Sequence, residues 1–215
     1  MTVLLLHAFP LDERMWARQL PALGGYEVHA PLLYGRGSTM TAWAESVAGE
    51  VEGELVVVGA SMGGYCALAL AAQERQRVRG LLLLGARPDA DSDERRAGRA
   101  DTIALIEAEG ADGLWRMMLP KLVSDQSRLD QSLEFRETEQ LVQAMEAVRD
   151  RADSTEVARS LAVPVQFVVG DSDPYVSASE LDGFEVLELA DTGHLANLER
   201  PDEFNAVLSD FLARV

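Results

Sequence analysis

The chain has one cysteine in 215 residues, three histidines, few aromatic side chains and about half as many cations as carboxylates. Each shortage excludes something. Cys66 alone cannot close an internal disulfide, so the expected compartment is the cytoplasm. Three scattered histidines and one cysteine form no metal-ligand cluster, and neither a metal nor a cofactor is expected. With 19 Lys and Arg against 36 Asp and Glu, the net charge is −17, which argues against nucleic acid or an anionic membrane surface as a partner. The first apolar run, Val3–Leu6, is far too short for a signal peptide or a membrane span, and no charged segment follows Met1. No internal repeat or low-complexity stretch is present.

What remains is an ordinary globular composition, 47% hydrophobic and 26% charged. A chain of this length fits a single domain, 1–215, and buries about 70% of its unfolded surface. Short apolar runs alternate with helical patterns, which predicts an α/β fold with a parallel sheet covered on both faces. Strands are expected at Val3–Leu6, Val28–Pro31, Leu55–Val58, Leu81–Leu84, Val165–Val169 and Val186–Leu189. Trp43, Val47 and Val51 recur every four residues, as do Phe204, Val207, Leu208, Phe211 and Leu212 at helical spacing, with Pro201 near the start of the last helix. Trp16 and Trp43 read as core packing in helices. From about residue 89 to 162 the alternation stops, and only helical sequence follows.

The most informative segment is Gly59-Ala60-Ser61-Met62-Gly63-Gly64, set between the apolar strand Leu55–Val58 and the alanine-rich stretch Tyr65–Ala72. A G-x-S-x-G turn between a strand and a helix is a nucleophile elbow. The serine occupies a strained apex, and glycines two positions either side keep strand and helix from colliding. A helix beginning at Met62 directs free N–H groups to the place where an oxyanion would form. A serine nucleophile needs a histidine base, and His194 stands in Asp191-Thr192-Gly193-His194, after a strand and before the last helix. His7 and His29 read as structural histidines. An acid to orient the base is available in Gly170-Asp171-Ser172-Asp173-Pro174, where Asp171 and Asp173 compete for the role.

On these segments, together with His7-Ala8-Phe9-Pro10-Leu11-Asp12, the chain resembles the α/β-hydrolase superfamily over nearly its whole length. His194-Leu195-Ala196-Asn197-Leu198-Glu199-Arg200-Pro201 looks like the 3-oxoadipate enol-lactonase-like group, and the His7–Asp12 opening is similar to bacterial haloperoxidase and esterase relatives. The resemblance implies a Ser61, Asp173, His194 triad in the order serine, acid, histidine. It implies backbone N–H donors at Phe9 and Met62 for the oxyanion, with His7-Ala8 where the family usually has His-Gly. It implies a helical cap over the site at 89–162, whose Trp115, Met118 and Met145 are candidates for the substrate pocket, with Met117 beside them. The usual antiparallel hairpin before the first strand is missing here, so about six strands, all parallel, are expected.

The implied function is a serine hydrolase cleaving a small ester, lactone or thioester through an acyl-enzyme. Two alternatives are a carbon–carbon lyase or perhydrolase on the same triad, and a non-catalytic receptor-like relative. An anionic substrate would need a cation near the pocket, and Arg87, Arg116 and Arg149 fall in or near the cap.

Overall fold

The computed structural model describes residues 1–125 and 137–215. Six strands are formed: β1 (Thr2–Leu6), β2 (Glu27–His29), β3 (Leu55–Ala60), β4 (Val78–Leu84), β5 (Val165–Gly170) and β6 (Glu185–Leu189). They pair in the order β2-β1-β3-β4-β5-β6, every pair parallel. All six residues of β3 are buried. Because side chains alternate between faces along a strand, this burial requires cover on both sides of the sheet. The expected strands are therefore present with shifted ends. β2 stops at His29, ahead of Pro31, which has no N–H to give an edge ladder.

The helices are α1 (Met40–Ala48), α2 (Met62–Gln73), α3 (Asp93–Leu122), α4 (Thr138–Arg149), α5 (Thr155–Ser160), α6 (Ala196–Glu199) and α7 (Pro201–Leu212). Thr39 caps α1 by accepting from the Ala42 N–H, and Ser92 caps α3 through the Arg95 N–H. Trp43 in α1 is fully buried, as expected. Trp16 is also buried, but in a 3-10 turn, Glu13–Trp16, where it packs its ring against Phe204 of α7. Between β5 and β6 the chain makes only a 3-10 turn, Ala178–Leu181.

The order of strands places the site. From β1 the chain moves outward to β2, then crosses back to β3 on the other side of β1. Loops leaving β1 and β3 therefore diverge, opening a crevice at the C-terminal ends of these strands, where open α/β sheets bind ligands. Between β4 and β5 the described residues are helical, α3, α4 and α5, with α3 packed against α4. Helix α3 is broken at Gly110, whose φ of 64° and ψ of −158° are far from helical. Residues 126–136, inside the 89–162 stretch, lie outside the described residues.

Candidate active site

Ser61 sits between the end of β3 and the first turn of α2 with φ 48° and ψ −112°. A non-glycine residue in that conformation is strained, and the surroundings must hold it there. They do so at both ends of the residue. The Ser61 N–H donates to Leu84 O of β4 at 2.7 Å, and Ser61 O accepts from the Gly64 N–H at 2.9 Å and the Tyr65 N–H at 3.2 Å. Close packing allows no side chain at the flanking glycines. A Cβ on Gly59 would lie 2.5 Å from Gly63 O, and one on Gly63 would lie 2.1 Å from Leu6 O of β1. The elbow is thus jammed between β1 and β3, and its serine is pushed above the sheet edge.

His194 and Asp173 arrive from the far end of the sheet, in loops after β6 and β5. His194 Nδ1 meets Asp173 Oδ2 at 2.8 Å, and both side chains are shielded from solvent. The other carboxylate oxygen, Asp173 Oδ1, accepts from the Tyr175 N–H at 2.8 Å and the Val176 N–H at 3.3 Å. Three donors on one carboxylate fix its orientation and hence the imidazole's. Asp171 points elsewhere. Its oxygens accept from the Asp191 N–H at 3.0 Å and the Thr192 N–H at 3.1 Å. Those bonds, Thr192 first, hold its carboxyl below the ordinary carboxylate range. Asp171 closes the loop that carries His194, and Asp173 touches the ring.

Ser61, His194, Phe9, Met62, Met118 and Met145 line one small cavity, so six of the predicted site residues come together. Trp115 does not line it and packs against the core instead. Met117 lines a neighbouring cavity. Among the described residues Ser61 Oγ forms no hydrogen bond to His194; the two face the same space, and such contacts commonly tighten only when substrate is bound. Met62 opens α2, so its N–H has no intrahelical acceptor. The Phe9 N–H likewise donates to no protein acceptor among the described residues.

A profile of the alpha/beta hydrolase family matches residues 3–207. The chain belongs to the alpha/beta hydrolase family. A pimeloyl-[acyl-carrier protein] methyl ester esterase of Aromatoleum aromaticum is 36% identical over 93 residues, which is 40% of this chain and 37% of that protein. The Neisseria meningitidis enzyme of the same name is 25% identical over 98% of this chain and 92% of its own length. Among solved structures, a thermophilic esterase from Thermogutta terrifontis superposes with a TM-score of 0.87 at 28% identity, covering 99% of this chain and 89% of the other. An enol-lactonase from Burkholderia xenovorans shares the fold, with a TM-score of 0.83 at 24% identity over 99% and 92% of the two chains.

This alpha/beta hydrolase carries several site features that motifs alone do not reveal. Gly85, just after β4, has φ 55°, and a Cβ there would sit 2.9 Å from His194 Cε1 and Nδ1. The Tyr175 ring meets the His194 ring edge-on, with centroids 4.8 Å apart, and lines the same cavity as Tyr65 and Arg99. Glu199 is buried; its Oε1 accepts from the Gly193 N–H at 2.7 Å and its Oε2 from the Ser124 N–H at 2.9 Å. It thereby ties the residue before His194 to the chain after α3. A position five residues after the histidine, in a helical stretch, gives a hint of such a role. Tyr175 and Gly85 give none.

The remaining candidates fall outside the chemistry. His7 is buried with Nε2 accepting from the Leu33 N–H at 2.9 Å, and His29 pairs with Glu50. Burial pushes the Cys66 thiol up to about 12, leaving it inert as a nucleophile. Among the described residues no group of three or more potential ligands could hold a metal ion, and no helix is long and apolar enough to cross a membrane.

Proposed function

We propose that the protein is a serine hydrolase cleaving a small carboxylic ester, with Ser61, Asp173 and His194 as its catalytic triad. The observation that carries this reading is the buried 2.8 Å His194–Asp173 pair facing the same cavity as a serine held at φ 48° on a glycine-bounded elbow. The names of the similar proteins, methyl ester esterases, a thermophilic esterase and an enol-lactonase, support ester or lactone bonds as the target.

In this mechanism Ser61 Oγ attacks the carbonyl carbon while His194 Nε2 takes its proton. Asp173 Oδ2 accepts the Nδ1–H, selects that tautomer and stabilises the imidazolium. The tetrahedral oxyanion is held by the Met62 and Phe9 N–H groups. Collapse expels the alcohol, which takes the proton back from His194, and water repeats the sequence to release the acid. Helices α3 and α4 supply Met118 and Met145 to the wall and act as the cap of a single domain. A lone buried cysteine fits a cytoplasmic setting.

Labelling with a fluorophosphonate, read by intact mass, tests the reading. The wild type gains one adduct and Ser61→Ala gains none, and p-nitrophenyl ester turnover falls by a factor on the order of 10⁶ in that variant, as for the nucleophile of subtilisin. An unlabelled wild type, or ester turnover surviving in Ser61→Ala, overturns it.

A further inference from the structure

A second cavity of about 290 Å³ adjoins the one at Ser61 and shares with it the walls made by Tyr65, Arg99, Met118, Met145 and Tyr175. Among the described residues four cations line it, Arg87, Arg95, Arg99 and Lys121, and not one carboxylate does. In a chain of net charge −17, that concentration runs against the composition of the whole molecule.

The four are not equivalent. Arg87 is held by Asp89 at 2.6 Å and Glu180 at 2.9 Å, and Arg95 by Asp89 at 2.6 Å, so both are largely neutralised. Arg99 is anchored only through Nε, 3.2 Å from Asp91 Oδ2, and among the described residues its two terminal nitrogens have no acceptor. Asp91 has a fully buried side chain and is approached by three guanidinium groups, Arg95, Arg99 and Arg151, so this group carries surplus positive charge. Lys121 has no carboxylate partner among the described residues; its Nζ lies 3.7 Å from Met117 Sδ. Beside Arg99, a Cβ on Gly98 would meet nothing within 4 Å, so the helix face there is open. Arg99 is also the one of the four that reaches both cavities.

We infer that Arg99 and Lys121 form a carboxylate subsite, and that the protein prefers esters whose acyl chain ends in a free carboxylate. The inference rests on the serine-hydrolase reading for its orientation: the ester lies at Ser61, the apolar chain runs along Met118 and Met145, and the carboxylate ends at Arg99 and Lys121. A guanidinium offers paired N–H donors that match both carboxylate oxygens, and partial burial lessens screening. The arginines that the sequence suggested for this role lie elsewhere or are occupied. Arg116 is exposed and paired with Glu109, and Arg149 is paired with Asp150.

The test compares p-nitrophenyl monoesters of dicarboxylic acids, succinate through suberate, with uncharged alkanoate esters of equal length. For the best-fitting chain, the acid-ended ester has a kcat/KM at least about tenfold above its neutral partner, and the ratio shrinks as salt rises. Arg99→Gln and Lys121→Gln each lower that ratio about tenfold, mainly through KM; Arg116→Gln does not. Lys121 is exposed and Lys121→Gln preserves the fold, so a loss in Arg99→Gln alone, with Lys121→Gln unchanged, overturns the paired site. Calorimetric binding of a monomethyl dicarboxylate to Ser61→Ala, weakened by adding Lys121→Gln, reads the subsite without turnover. Neutral esters hydrolysed as well as acid-ended ones, or no binding to Ser61→Ala, overturns the subsite and leaves the nucleophile assignment standing. Ester turnover persisting in Ser61→Ala instead defeats the hydrolase reading.

Discussion

Asp173, on one side of the Ser61 cavity, accepts three hydrogen bonds, whereas Met118 and Met145 on the other side are held by apolar contact. The first region is built from loops at the sheet edge, where carboxylates accept from the N–H groups of Tyr175, Val176, Asp191, Thr192 and Gly193 and small displacements break specific bonds. The second is a layer of helices whose flexible thioethers tolerate repacking. Chemistry that depends on tenths of an ångström belongs in the first region. Under the proposed mechanism, discrimination between acyl chains belongs in the second, where side chains can change without disturbing the proton path.

The comparison breaks if mutations in the two regions have similar effects. The largest loss in this set is expected for Asp173→Asn. An amide can donate to Nδ1 and leave the wrong ring nitrogen protonated, a change that cost about 10⁴ in a serine protease. Steady-state turnover of an aryl ester checks it, with circular dichroism to show that the fold is intact.

Gly85→Ala comes next. Its Cβ would press on the His194 ring at 2.9 Å, and alanine disfavours a φ of 55°. Turnover should fall on the order of 10²-fold, the typical consequence of a misplacement near 1 Å, and the melting temperature should drop as well. Unchanged kinetics would mean that the histidine loop yields easily, against the distinction drawn above.

Asp171→Asn sharpens the contrast within the rigid region, because its loss is one of stability more than of rate. The folded-state carboxyl is held below its unfolded value by the Thr192 and Asp191 N–H groups. Its contribution is therefore present above the ordinary carboxylate range, about pH 3.9, and is lost as pH falls through the depressed folded value. The melting temperature of Asp171→Asn should trail the wild type most at neutral pH, and the two should converge on acidification. A deficit that grows in acid would contradict the assignment.

The smallest effect is expected in the helical layer. Met145→Leu conserves volume and should cost less than about 1.5 kcal/mol in denaturant unfolding. It should leave turnover of a short aryl ester within a few-fold of wild type and change the preference among longer acyl chains. A loss comparable to that of Gly85→Ala would show that the layer is as exacting as the loops.

Much of this arrangement is local and therefore readable in the chain. The elbow is one contiguous strand, turn and helix, and the packing around Ser61 leaves room only for glycine at positions 59 and 63. The inner strands β1, β3, β4 and β5 announce themselves as short apolar runs because a covered parallel strand is largely buried on both faces. What the sequence could not decide was direction. Asp171 and Asp173 are two residues apart in one turn, and only the fold shows one carboxylate turned to backbone N–H groups and the other to the imidazole. Gly85 matters because β4 ends beside the histidine loop, a contact across more than a hundred residues. In α3, helical periodicity cannot be carried past Gly110, where the backbone leaves the helix and resets its phase. Arg99 lies before that break and Met118 and Lys121 after it, so their convergence on the cavities is a property of the tertiary structure alone.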